Sequence, residues 1–213
     1  MPADATDQYT TLAATSQAEP PKTKGSRFLG DALPVVSEEE AQAALDAVRR
    51  REHAATHHAW AWRLGAGPRA TVRYSDDGEP SGSAGLPILR ALEGRDLTDA
   101  LVVVTRYYGG TKLGTGGLAR AYGGAAEAAL DAAPVRVVTI RVPLRLRFDF
   151  ADTSPAMRTV ERFDAAIAAT DYDADGTALL VRVRRCEAEA LEAAFVEALG
   201  GRGTVERGEG GAA

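Results

Sequence analysis

ALVVVTRYYGGTKLGTGGLARAY runs from Ala100 to Tyr122. Its first part, residues 100–107, is an unbroken apolar and β-branched run, which predicts a strand buried on both faces. Five glycines follow between Gly109 and Gly117. An Ala-rich segment then predicts a helix over 118–132, stopped by Pro134. Strand, glycine loop and helix in that order bring free main-chain N–H groups and the positive end of a helix dipole to one place. A phosphate or carboxylate is the natural guest there. The candidate anion-binding residues are Arg106, Gly109, Gly110, Lys112, Gly114, Thr115, Gly116 and Gly117, with Arg106 and Lys112 supplying full charge. The loop is not a P-loop, because Lys112 precedes Gly114 instead of following it, and the dinucleotide-binding spacing is absent. The competing interpretation is a tight turn whose glycines serve packing alone.

Upstream lies SDDGEPSGSAG, residues 75–85, built almost wholly of turn formers. Asp76, Asp77 and Glu79 are three carboxylates in four residues. They could hold Mg²⁺, pair with Arg106 or Lys112 and neutralise an empty site, or form a solvated turn. Ser81 and Ser83 stand where a cap for a following helix is needed, which predicts a helix over 86–93 ended by Gly94. Further upstream, ATHHAWAW, residues 55–62, opens a strand predicted over 56–64, with Trp60 and Trp62 on one face. Alternation sends His57 and His58 to opposite faces, a poor chelating pair, with one free to face a cleft and the other solvent.

The remaining elements follow from periodicity. Ser37 and Glu40 have capping-box spacing ahead of Ala41, Ala44, Leu45 and Val48, which predicts a helix with Arg49–Arg51 in its last turn. Strands are predicted at 9–13, 26–36 and 70–74. Beyond a join near 133–139, the order is strand 142–150, a helix starting at Ser154-Pro155, strand 166–172, an Asp175-Gly176 turn, strand 177–184, helix 187–199 and strand 204–207. That βαββαβ order is the ferredoxin-like plan. The fold class is α+β, with domains expected at 24–133 and 140–207, a flexible N-terminus and first strand in 1–23, and a tail at 208–213.

The 213 residues carry a formal net charge of −5, with 45% hydrophobic and 26% charged residues. This is globular composition with an acidic balance, so a nucleic-acid site has to be a local patch, not a whole basic face. The single cysteine, Cys186, excludes an internal disulfide and has no histidine nearby in sequence to make it a nucleophile. No signal-peptide pattern and no apolar run of about 20 residues is present, so a cytoplasmic location away from membrane is expected.

SDDGEPSGSAGLPIL (75–89) together with LVVVTRYYGGTKLGTGGLARAY (101–122) resembles the Impact/YigZ family. KGSRFLG (24–30) is similar to that family's opening strands, ATHHAWAW to its histidine-bearing strand, and residues 142–207 to the second domain of bacterial members. The resemblance implies a first domain with the fold of ribosomal protein S5 domain 2, shared with elongation factor G and with kinases that cradle phosphate on a glycine loop. It implies a second domain like a late domain of elongation factor G. It implies a role in regulating translation, with RNA or the ribosome as partner, and brings no established catalytic residue. The kinase-activator role of eukaryotic members is not expected, since there is no room for their extra domain before Lys24. Tyr108 stands where many members have Phe, and His58-Ala59 where many have Asn-Cys. The leading expectation is a non-enzymatic protein binding a phosphate-bearing ligand, the patch extended by Lys24 and Arg27. The alternatives are an enzyme on a small phosphorylated substrate, with Mg²⁺ held by Asp76, Asp77 or Glu79, and a protein-interaction adaptor.

Overall fold

The computed structural model describes residues 7–67 and 70–208. Its first half runs β1 (Gln8–Leu12), β2 (Ser16–Ala18), β3 (Arg27–Pro34), α1 (Glu38–Arg51), β4 (His57–Leu64), β5 (Thr71–Ser75), α2 (Gly85–Glu93), β6 (Ala100–Tyr107), α3 (Thr115–Ala132) and β7 (Val135–Thr139). Five of these strands form one antiparallel sheet in the order β2-β3-β6-β4-β5, with β6 central.

The apolar run predicted both of β6's buried faces. Val102 and Val104 pack with Ile88, Leu92, Tyr122 and Ala126 beneath α2 and α3. Leu101 and Val103 pack with Leu45, Val48 and Trp62 beneath α1 on the other face. Each such aliphatic side chain contributes about 1.5–3 kcal/mol by leaving water. Gly30 permits the close approach of α3 to β3, because a Cβ there would overlap the Ala125 carbonyl oxygen. The result is the S5 domain 2-like sandwich.

Local signals account for the helices. Ser37 Oγ accepts from the Glu40 amide at 3.2 Å, and Glu40 Oε2 accepts from the Val36 amide at 2.9 Å, one residue upstream of the usual capping-box partner. The basic run at the end of α1 is engaged within the fold: Arg51 pairs with Asp31 and Glu52, and Arg49 with Asp77. Two elements escaped the sequence. Residues 16–18 form β2, although Pro20-Pro21 suits a loop over 17–23, and the join at 133–139 contains β7, which pairs with β1. Both strands are short and lack an alternating pattern.

The second half runs β8 (Arg141–Phe148), α4 (Thr153–Arg162), β9 (Ala166–Asp173), β10 (Gly176–Arg184), α5 (Ala188–Ala198) and β11 (Thr204–Arg207). Its sheet order, β11-β8-β10-β9, is ferredoxin-like. Leu144, Leu146, Val181, Val183, Leu191 and Phe195 form its separate core. The α4 helix begins at Thr153, not at a Ser154 cap; Asp152 precedes it and its carboxylate holds Arg202 instead. Residues 9–138 make one compact unit, and the described residues 7–8 and 139–208 make another. No helix among the described residues is long and apolar enough to cross a membrane.

Candidate anion-binding site

The glycine loop divides into a packed part and an open part. The Tyr108 amide donates to Thr56 Oγ1 at 3.3 Å, and the Gly109 amide donates to Ser26 Oγ at 3.1 Å. A Cβ on Gly109 would overlap the backbone of Gly25 and Ser26. Gly109 is therefore a packing glycine with an engaged amide, and it leaves the candidate anion set. From Gly110 to Gly114, no amide donates a hydrogen bond among the described residues. Gly110 and Gly114 hold φ of 86° and 70°, a region that favours glycine. Gly114 is the N-cap of α3, which has neither a side-chain cap nor an acidic residue in its first turn. The amides of Thr115, Gly116 and Gly117 are thus the unsatisfied donors of a helix start.

Lys24, Lys112 and Arg120 are exposed and enter no ion pair among the described residues. Lys24 and Gly25, with φ of 46° and 83°, are the two central residues of a tight turn closed between Thr23 and Ser26. A groove of about 310 Å³ is lined by Thr23, Lys24, Leu113, Gly117, Arg120 and Ala121. Arg120 curls back over the first turn of α3, its Nη1 lying 3.8 Å from where a Cβ on Gly116 would sit. Sequence reasoning missed Arg120. The available signal was a cation in the second turn of an uncapped helix, where the dipole disfavours it.

Two expected cations are engaged elsewhere. Arg106 is 5% exposed and its Nη1 donates to Glu79 Oε1 at 2.5 Å. It serves a buried ion pair, as one of the alternatives for the acidic loop anticipated. Arg27 pairs in register with Tyr107, which puts it on the sheet face opposite Arg106, and its guanidinium is held by Glu19. Alternation along β3 excludes it from the groove.

The acidic loop is likewise occupied by its own surroundings. Asp76 Oδ1 accepts from the amides of Ala84 and Gly85, and Oδ2 from that of Gly82, so Asp76 caps α2. Ser83 donates to Pro80 O instead of capping, and Ser81 is exposed. Asp77 Oδ2 accepts from the His58 amide, while the Asp77 carbonyl faces His57 Nδ1 at 2.7 Å. Glu79 Oε1 accepts from Tyr122 Oη at 2.7 Å as well as from Arg106, and His57 Nε2 stands 3.9 Å away. Burial and the Glu79 carboxylate hold the Tyr122 hydroxyl well above its ordinary value, so it stays a donor. Among the described residues no three His, Cys, Asp or Glu side chains gather as a metal cluster. The Mg²⁺ expectation gains no donor set, because these carboxylates are spent on amides and on Arg106.

The two histidines do face opposite ways, but His58 is buried at 9% exposure with Nε2 near Glu52 O, not solvent-facing. Trp60 and Trp62 stack on one another at 4.4 Å on the α1 side, as core. Cys186 is exposed, and its hydrogen bond with Asp7 raises the thiol pKa, which leaves it a poor nucleophile.

The family model described as the Impact N-terminal domain matches residues 24–130, about half of the chain and all of the loops just described. The chain belongs to the Impact family. A second family model, described as a domain of unknown function (DUF1949), matches residues 146–202 of this chain. An Impact family member from Thermus thermophilus is 49% identical over 60% of this chain and 67% of its own. The Impact family member YigZ of Escherichia coli is 36% identical over 71% of this chain and 74% of its own. A solved structure, a crystal structure of a hypothetical protein, has a TM-score of 0.70 at 30% identity and covers 95% of this Impact chain and 98% of its own.

Proposed function

We propose that this Impact protein is a translation-associated regulator whose first unit binds a phosphate-bearing ligand, RNA or the ribosome. The observation that carries the proposal is the row of unengaged amides from Gly110 to Gly117, flanked by Lys24, Lys112 and Arg120 without acidic partners. Uncapped helix starts and left-handed glycines bind anions through N–H groups, and guanidinium and ammonium groups add charge. The translation role comes from the family resemblance, and the chemistry of the loop is compatible with it. A net charge of −5 confines the contact to a local patch.

Sedimentation of the tagged protein through a cell-lysate gradient tests this reading. Co-migration with ribosomes or RNA at low salt, declining at moderate salt and lost in a Lys24→Ala/Lys112→Ala/Arg120→Ala variant, is the expected result. Absence from those fractions at both salts contradicts it. The small groove beside α3 supports a second reading, an enzyme on a small phosphorylated substrate. Thermal shift with a panel of nucleotides and sugar phosphates, with and without Mg²⁺, separates the two: only the enzyme reading expects one compound to stand out and its shift to grow with Mg²⁺.

A further inference from the structure

The open amides begin two residues after an aromatic ring that the fold holds rigid and leaves half-bare. Tyr108 is 48% exposed, although a tyrosine following a central strand has a core on either side to enter. Beneath its ring, at 5.3 Å from the centroid, lies the guanidinium of Arg106. That guanidinium is itself 5% exposed, fixed by Glu79, and set over Phe28 at 5.6 Å, while its Nε donates to no protein acceptor. The Tyr108 amide is anchored to Thr56. A mobile surface tyrosine needs none of this support. A buried cation under one face holds the ring in place and leaves the opposite face as a flat stacking platform.

Resting on the phosphate-binding reading of the loop, we infer that the ligand unit is a nucleotide with an unpaired base: the base stacks on Tyr108 and its phosphate meets the amides that start at Gly110. Two residues of chain span about 7 Å at most, the scale of the separation between base and phosphate within one nucleotide. Bases in a duplex are already stacked and unavailable to a surface ring, so the site takes an unpaired base. An acidic protein with a few local cations suits a short single-stranded contact better than a long duplex track. The same chemistry exists in a free mononucleotide and in single-stranded RNA, and the experiment separates these sources.

Fluorescence anisotropy with a labelled oligoadenylate provides the test, with adenosine monophosphate, inorganic polyphosphate and a duplex of equal length as competitors. The expected result is that Tyr108→Ala weakens oligoadenylate binding about ten-fold or more. Tyr108→Phe restores it, and polyphosphate competes equally against wild type and Tyr108→Ala. The duplex competes poorly. Adenosine monophosphate competing as well as the oligomer, per nucleotide, assigns the site to a free nucleotide; weaker competition assigns it to the strand. Undiminished oligoadenylate binding by Tyr108→Ala, or equal competition by duplex, overturns the inference while leaving the phosphate site standing. If wild type binds neither polyphosphate nor oligoadenylate, the phosphate reading fails and the inference with it.

Discussion

Arg106 shows how a single residue can be placed correctly and still be assigned the wrong work. The sequence places it next to the glycine loop with a full positive charge, and it does sit there, but its charge answers Glu79. Both side chains are about 95% buried, so removing one leaves the other unpaired in a low dielectric. Glu79→Gln or Arg106→Met is expected to cost about 3–5 kcal/mol, read as a lowered urea midpoint. A loss under about 1 kcal/mol would show that the pair is solvated. Asp31 gives a pH-dependent counterpart. Its burial raises the carboxyl pKa above the ordinary value despite hydrogen bonds from Gln17 and Arg51. The folded state then takes up the proton first, so this group adds stability as pH falls through the raised value towards the ordinary carboxylate range. Melting curves of wild type and Asp31→Asn should therefore shift relative to one another in favour of wild type as pH drops from neutral. A difference independent of pH would contradict that.

At the scale of elements, the loops divide the labour. The acidic loop is a cap: Asp76 serves three amides at the start of α2, so Asp76→Ala should cost about 2 kcal/mol with no change in phosphate affinity. Equal stability in chemical denaturation would remove Asp76 from that role. The glycine loop is half packing and half opening. Gly109→Ala should unfold or severely destabilise the protein because its Cβ would enter the Gly25–Ser26 backbone, whereas Gly116→Ala meets only the Arg120 tip and should fold normally. Much of this was legible in sequence: glycine density, strand and helix announced an open glycine loop at a helix start, and alternation separated His57 from His58. What sequence could not show was which charges already had partners. That depends on three-dimensional neighbours, such as Glu79 arriving from 27 residues upstream of Arg106, or Arg27 facing the other side of the sheet. Arg120 was hidden for a different reason, since a lone Arg in an Ala-rich helix reads as a solvated face.

For the whole molecule, separate cores imply separate folding units. Residues 9–138 expressed alone should melt cooperatively and retain phosphate binding. The fold class and the βαββαβ order of the second half were readable from period and turn chemistry. The strand at 9–13 was readable too, as β1, but its pairing with β7 and the three-residue β2 were not, because β2 and β7 are short. Leu12 is fully buried in the first core, so a fragment beginning at Lys24 should be markedly less stable than one beginning at Tyr9. Identical melting of the two fragments would contradict that assignment.

The anion pocket itself is tested most directly by ¹⁵N amide shifts during titration with inorganic polyphosphate. Saturable movement of Gly110, Gly114, Gly116 and Gly117, with Gly109 unmoved because it already donates to Ser26, is the predicted pattern. Stationary loop resonances at saturating polyphosphate would contradict it.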